Sequence, residues 1–255
     1  MKNINDVCVI IQARLSSERI PNKMTKSFGD SSLFEIACKK LLESNVIPKD
    51  NIYVSVHEKE LVDIANKCDI NIFKRSKESA IFDGDGSVSM MYDWWDKLPF
   101  KYVVLVSACL PFLKIETVDD FFKGYLDTNK NGMFAVFGKN TYYWNSNKKL
   151  ITTKFEESGN MNTKIVETTY EAAHCLYAGK MEFIGDGIWM GDFIEGNYPI
   201  LVIRDGIIDW TRGDFNPELL PELEQGKPIN EVSMKDLTKI FTPRKTEALK
   251  TINNQ

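Results

Sequence analysis

Just past the apolar run Val7-Cys8-Val9-Ile10-Ile11, residues 12–26 carry Arg14, Arg19, Lys23 and Lys26 against the single carboxylate of Glu18, a net of +3. Cations on a connection that leaves a buried strand usually have something anionic to hold. Ser16-Ser17 adds hydroxyls and small side chains, so backbone N–H groups can approach phosphate oxygens there. At roughly 1.5–3 kcal/mol for each charge-assisted hydrogen bond, three such cations make a substantial polyphosphate site. A solvated, charged surface loop has the same composition, and residue types alone leave both readings open. The stretch has neither a Walker-type glycine loop nor a dinucleotide glycine fingerprint.

Other polar constellations carry less chemistry. Asp83-Gly84-Asp85-Gly86-Ser87 faintly resembles a calcium loop, but its glycine offset is wrong and Trp94 stands where the bidentate Glu belongs. It reads as a turn at the edge of a site. No G-x-S-x-G occurs, so Ser16 and Ser17 are poor nucleophiles. His174, between Ala173 and Cys175, reads as a satisfied structural or interface histidine. Trp94-Trp95 at helical spacing reads as core. The Tyr142-Tyr143-Trp144 cluster fits a pocket wall or a subunit contact equally well.

The elements that must position these groups alternate. Apolar strand runs are expected at residues 7–11, 52–56, 70–73, 102–106 and 133–137. Between them, helical spacing links Phe34, Ala37, Cys38, Leu41 and Leu42, then Leu61, Ile64 and Ala65. It recurs at Val88, Met91, Tyr92 and Trp95, and at Val118, Phe121, Phe122 and Tyr125. Such alternation implies βαβ units and an α/β, doubly wound, mostly parallel sheet. In such a sheet ligands lie beyond the carboxyl ends of the strands, where strand order reverses. Two connections then matter most, residues 12–26 and residues 107–114. Residues 140–185 lose the pattern and read as a small β-rich insertion, while residues 199–203 look like a strand returning to the sheet.

Bulk composition narrows the class. The 255 residues, 43% hydrophobic and 27% charged, suit a single globular domain spanning residues 1–255. A net charge of −4 argues against a general nucleic-acid binder. No apolar run reaches the ~18 residues of a membrane span, and the start of the chain has no signal-peptide pattern. Cys8, Cys38, Cys68, Cys109 and Cys175 are odd in number and dispersed, which suits a reducing cytoplasm rather than a disulfide framework or a zinc site.

The stretch "QARLSSERIPNKM" at residues 12–24 resembles the ARxGSKxIxxKN motif of the CMP-sialic acid synthetase (acylneuraminate cytidylyltransferase) family. Ala13-Arg14, Ser17, Ile20-Pro21 and Lys23 fall in register. The resemblance continues through the helix at 33–42, through Arg75 with Asp83 to Ser87, and to Cys109-Leu110-Pro111-Phe112-Leu113. It implies a nucleotidyltransferase (Rossmann-like) fold and transfer of CMP from CTP to an acidic acceptor, a nonulosonic (sialic-like) acid, with release of pyrophosphate. Such an enzyme serves cell-surface glycan biosynthesis. It also implies that Arg14 and Lys23 act on the phosphates. Ala13, Ser17, Arg19, Asn22, Arg75, Asp83 and Ser87 complete the nucleotide site, and Ser107, Cys109 and Tyr170 face the acceptor. Mg²⁺ falls to Asp209 or Asp214, and residues 140–185 pair two subunits into a homodimer. On the acceptor side the family's Q-x-T-S-P-L stands here as Ser107-Ala108-Cys109-Leu110-Pro111-Phe112, without the hydroxyl pair. A non-sugar acid such as a phosphonate, or a non-catalytic nucleotide-binding subunit, are the alternatives.

Overall fold

The computed structural model describes residues 1–17, 20–82, 86–152, 162–188 and 200–202. Among the described residues seven strands form one sheet in the order β5-β4-β1-β6-β8-β7-β9, and β2 and β3 form a separate small hairpin. The main strands are β1 (Val7–Gln12), β4 (Ile52–Val56), β5 (Asn71–Lys74), β6 (Tyr102–Val106), β7 (Met133–Lys139), β8 (Thr169–Lys180) and β9 (Ile200–Val202). β2 is Ser27–Phe28 and β3 is Ser31–Ser32. β1 pairs in parallel with both β4 and β6, and β8 alone runs against its neighbours.

The unbroken apolar run of β1 has a direct cause. Val7, Val9 and Ile11 pack on one face with α1 (Leu33–Leu42), α2 (Lys59–Cys68) and the later helix Ile115–Asp127. Cys8 and Ile10 pack on the other face with Tyr92, Trp94, Met181 and Ile184. A strand covered on both faces has no polar side to show, so alternation disappears. Two one-turn helices, α3 (Lys77–Ala80) and α4 (Val88–Met91), precede β6. α5 (Ile115–Asp127) follows it, and α6 (Met181–Gly185) follows β8. Ser32 starts α1 by accepting from the Glu35 N–H at 3.3 Å, and Glu35 in turn pairs with Lys39. At Gly185 a Cβ would sit 2.4 Å from the Trp95 ring, so only glycine lets α6 lie against that indole. Among the described residues no helix is long and apolar enough to cross a membrane.

The expected doubly wound sheet is present, with strands within a residue or two of their sequence positions. One stretch differs. Residues 169–180, expected within an inserted segment, form β8 in the interior of the sheet, between β6 and β7. Their irregular pattern comes from a bulge. Tyr177 faces Phe134 and Ala172 faces Val136, so Ala173, His174, Cys175 and Leu176 stand where β7 has Ala135 alone. Residues 140–152 and 162–168 do leave the sheet, with a bridge between Trp144 and Leu150.

Candidate active site

The chain builds outward from β1 to β4 and β5, then crosses to the other side of β1 to make β6. Strand order therefore reverses between the carboxyl ends of β1 and β6, where an open α/β sheet leaves a crevice. A cavity of about 430 Å³ lies there. Gln12 at the end of β1 forms its floor, Val106 to Cys109 form one wall, and His174, Cys175 and Tyr177 of β8 form another.

Each wall is fixed by identifiable contacts. The Gln12 amide donates to the Met91 carbonyl at 3.1 Å and accepts from the buried Trp94 indole at 2.8 Å, so its orientation is set. Trp94 is thus core, as expected, and also the brace of the cavity floor. The Ser107 N–H donates to the Cys175 carbonyl at 2.9 Å, and its hydroxyl accepts from the Cys109 N–H at 3.2 Å. Ser107 and Cys109, which the resemblance assigns to the acceptor, both line the cavity. Tyr170 does not. It is 55% exposed, paired with Gly138 beyond the bulge.

His174 is the group that sequence reasoning undervalued. It is satisfied, with Nδ1 2.6 Å from the Tyr177 hydroxyl, but it is exposed and lines the cavity. The bulge holds it at φ 52°, a left-handed conformation rare for a residue with a side chain. Bulges at strand ends re-aim side chains, and this one turns an imidazole toward the crevice. When the phenol donates to Nδ1, Nε2 carries the proton. The interrupted alternation of residues 169–178 was the available signal.

The cationic connection also takes shape. Ala13, buried, donates its N–H to the Ser55 carbonyl at 3.1 Å, and the Leu15 N–H donates to Glu58 Oε1 at 2.8 Å. Arg14, half-buried, donates through Nη1 to the Phe82 carbonyl, which ties the loop to the segment entering residues 83–85. Ser17 and Lys23 are half-buried and Asn22 is exposed. Asn22 takes φ 55°, and its carbonyl accepts from the Thr25 and Lys26 N–H groups in a tight turn. Ser87 is exposed and caps α4, accepting from the Ser89 N–H at 3.2 Å. Arg19, Asp83, Asp209 and Asp214 lie outside the described residues. Among the described residues no group of three or more His, Cys, Asp or Glu is disposed to hold a metal ion.

Arg75 requires a correction. It is 3% exposed and cannot face a nucleotide in this structure. Its Nε donates to the Ser79 hydroxyl at 3.0 Å, and Nη2 donates to the Ser79 carbonyl and to that of Met91 at 3.4 Å. Burial pulls its pKa down, while Asp93 and Glu58 oppose that shift. Each of those carboxylates keeps one buried oxygen with no hydrogen-bond partner, so the guanidinium is their nearby counter-charge. Arg75 is the keystone beneath both the Arg14 loop and the Met91 carbonyl that holds Gln12.

Comparison with known proteins accords with this geometry. A family model described as Cytidylyltransferase matches residues 8–180. Spore coat polysaccharide biosynthesis protein SpsF of Bacillus subtilis is 25% identical over 139 residues, 52% of this chain and 55% of that protein. A 3-deoxy-manno-octulosonate cytidylyltransferase of Rickettsia bellii is 27% identical over 117 residues, 44% of this chain and 45% of its own. The chain thus spans about half the length of the curated relatives it matches. Among solved structures, a cytidylyltransferase from Leptospira borgpetersenii aligns with TM-score 0.57 and 15% identity, covering 94% of this chain and 95% of that one. CMP:2-keto-3-deoxy-manno-octonic acid synthetase complexed with CTP aligns with TM-score 0.53 and 10% identity, covering 71% of this chain and 76% of that one. At such identities the structural likeness speaks for the fold alone. The family match covers most of the chain, from the first strand of the sheet to the end of β8, and on that ground the chain belongs to the cytidylyltransferase family.

Proposed function

We propose that this protein transfers CMP from CTP to an acidic, sugar-like acceptor, and that the acceptor is a nonulosonic acid. One observation carries the reading: Gln12 and Met24, near the two ends of the cationic connection after β1, both line the switch-point cavity, so that loop and the cavity adjoin. In the reaction an acceptor hydroxyl oxygen forms a bond to the α-phosphorus. The bond from that phosphorus to the bridging oxygen breaks, and pyrophosphate leaves. Such transfers need positioning and charge neutralisation more than a covalent nucleophile. Arg14 and Lys23 supply cations beside the phosphates. His174, its Nδ1 engaged by the Tyr177 hydroxyl, can hold the acceptor hydroxyl by donating from Nε2. Mg²⁺, bound through Asp209 or Asp214 and water, would add neutralisation of the triphosphate, since this ion often needs only one or two protein carboxylates.

The same proposal includes a homodimer and a cytoplasmic place in cell-surface glycan biosynthesis. The dimer is supported by exposed apolar side chains on and beside the segment between β7 and β8: Trp144 at 51%, Ile151, Ile165 and Tyr170. The pathway is supported by likeness to a spore coat polysaccharide protein and a 3-deoxy-manno-octulosonate cytidylyltransferase. A second reading, a smaller non-sugar acid such as a phosphonate, is favoured by the apolar cavity wall of Met24, Met91, Val106 and Cys109.

The test is pyrophosphate release with Mg²⁺, each of the four nucleoside triphosphates, and a panel of nonulosonic, octulosonic and phosphonic acids. Release with CTP and a nonulosonic acid is the expected result. Release with no acid, together with CTP binding, marks a nucleotide-binding subunit. Equal thermal stabilisation by all four nucleotides removes the cytidylyltransferase reading.

A further inference from the structure

Lys40 sits on α1, outside the cavity, and reaches across to the connection between β6 and α5. Its Nζ donates to the carbonyl of Leu110 at 3.1 Å and to that of Pro111 at 3.0 Å. Those carbonyls directly follow Ser107, Ala108 and Cys109, which wall the switch-point cavity. Leu110 and Leu113 are buried beneath the same connection, so its apolar side is seated while its carbonyls turn toward the ammonium.

The contact is costly to maintain. Lys40 has no ion-pair partner among the described residues, and it lines a second cavity of about 700 Å³ between α1 and the start of α5. Lys39, Glu43, Lys114 and Glu116 share that cavity. Burial pulls the Lys40 ammonium down to about 8, with Glu43 opposing the shift. An uncharged side chain of similar volume would fill the space without that desolvation cost. What a lysine supplies there, and an apolar residue would not, is the hold on those two carbonyls.

We propose that Lys40 is a positioning residue, clamping the connection after β6 so that Ser107 to Cys109 present a fixed wall to the acceptor. The inference rests on the cytidylyltransferase reading for its catalytic consequence, but the clamp itself can be measured without turnover. Lys40→Met keeps the stem and removes the donors, and Lys40→Arg keeps the charge and the donors.

Each variant of the full chain is labelled with N-ethylmaleimide, and modification of the five cysteines is followed peptide by peptide in the mass spectrometer. Cys109 stands in the clamped segment, Cys68 is half-exposed elsewhere, and Cys8 and Cys38 are buried. In Lys40→Met the Cys109 rate should rise about tenfold while the Cys8, Cys38 and Cys68 rates hold, as local rather than global opening requires. Lys40→Arg should restore it. With substrates, Lys40→Met should lower kcat/KM for the acceptor about tenfold and leave KM for CTP unchanged. An unchanged Cys109 rate, or a rise in step with Cys8 and Cys38, overturns the clamp. Lys40→Gln, which keeps a donor but shortens the reach, gives the same readout if the methionine variant does not fold. If the wild-type protein releases no pyrophosphate, the function proposed above fails while the labelling result still decides the clamp.

Discussion

The connections leaving β1 and β6 start from adjacent parallel strands and solve opposite problems. The first gathers cations and is held from outside, by Ser55, Glu58 and Phe82 on neighbouring segments. The second is apolar, seated by Leu110 and Leu113, and held by one ammonium on its two turned carbonyls. A surface that recognises charge forgives small displacements, because Coulomb attraction falls slowly with distance. A surface that recognises shape does not, because packing contacts vanish within an ångström. The rigid clamp belongs with the wall that needs precision of position.

The sharpest way to break that contrast is to remove charge from the first connection. Arg14→Ala and Lys23→Ala should each lower kcat/KM for CTP about 10- to 150-fold, with acceptor KM little changed. Steady-state kinetics varying each substrate in turn checks this, and a loss confined to the acceptor would reverse the assignment of the two walls. Next in size is the imidazole. His174→Ala should lower kcat/KM for the acceptor about tenfold while leaving the CTP-induced rise in Tm intact. Tyr177→Phe should do less, since the ring stays and one hydrogen bond goes.

The cavity floor offers a stability test. Trp94→Phe removes the donor to Gln12 and leaves a polar oxygen short of a partner, which should cost roughly 1–3 kcal/mol in urea unfolding. A value near zero would mean that Gln12 finds another donor.

The smallest effect concerns pH. Lys40 has its pKa lowered to about 8 from the ordinary 10.5, so between those values the unfolded chain binds more protons than the folded one. Stability contributed by this site therefore rises with pH across that window, and the burial cost is fully present below it. The Tm of wild type relative to Lys40→Met should climb from about pH 8 to about pH 10. A flat difference would show the ammonium to be better solvated than its surroundings indicate.

The sequence was most legible where one physical rule acted alone. β4 and β6 fall on the expected residues because short strands in the interior of a sheet covered on both faces are continuous apolar runs. Trp94 was legible as core but not as a donor, because helical spacing says nothing of where an indole N–H points. Arg75 was misread because burial of a guanidinium depends on distant partners, here Asp93 and Glu58, that no local pattern reveals. β8 was obscured by its own bulge, since a pattern search assumes that alternation runs through. Lys40 was invisible altogether, a charged residue on the helix that packs the core, whose role lies in two carbonyls some seventy positions away.

The bulge in β8 also constrains how the chain length can drift. Residues 169–172 pair with β7 on one side of it, and residues 176–180 pair with β6 on the other. Strand side chains alternate with a period of two, so losing one residue from the bulge would turn either segment inside out, exposing what is buried. Losing two would preserve both faces, at the cost of at least one of the buried side chains of Ala173, Cys175 and Leu176. Changes of length at this point are thus confined to even steps if the rest of the sheet is to keep its register.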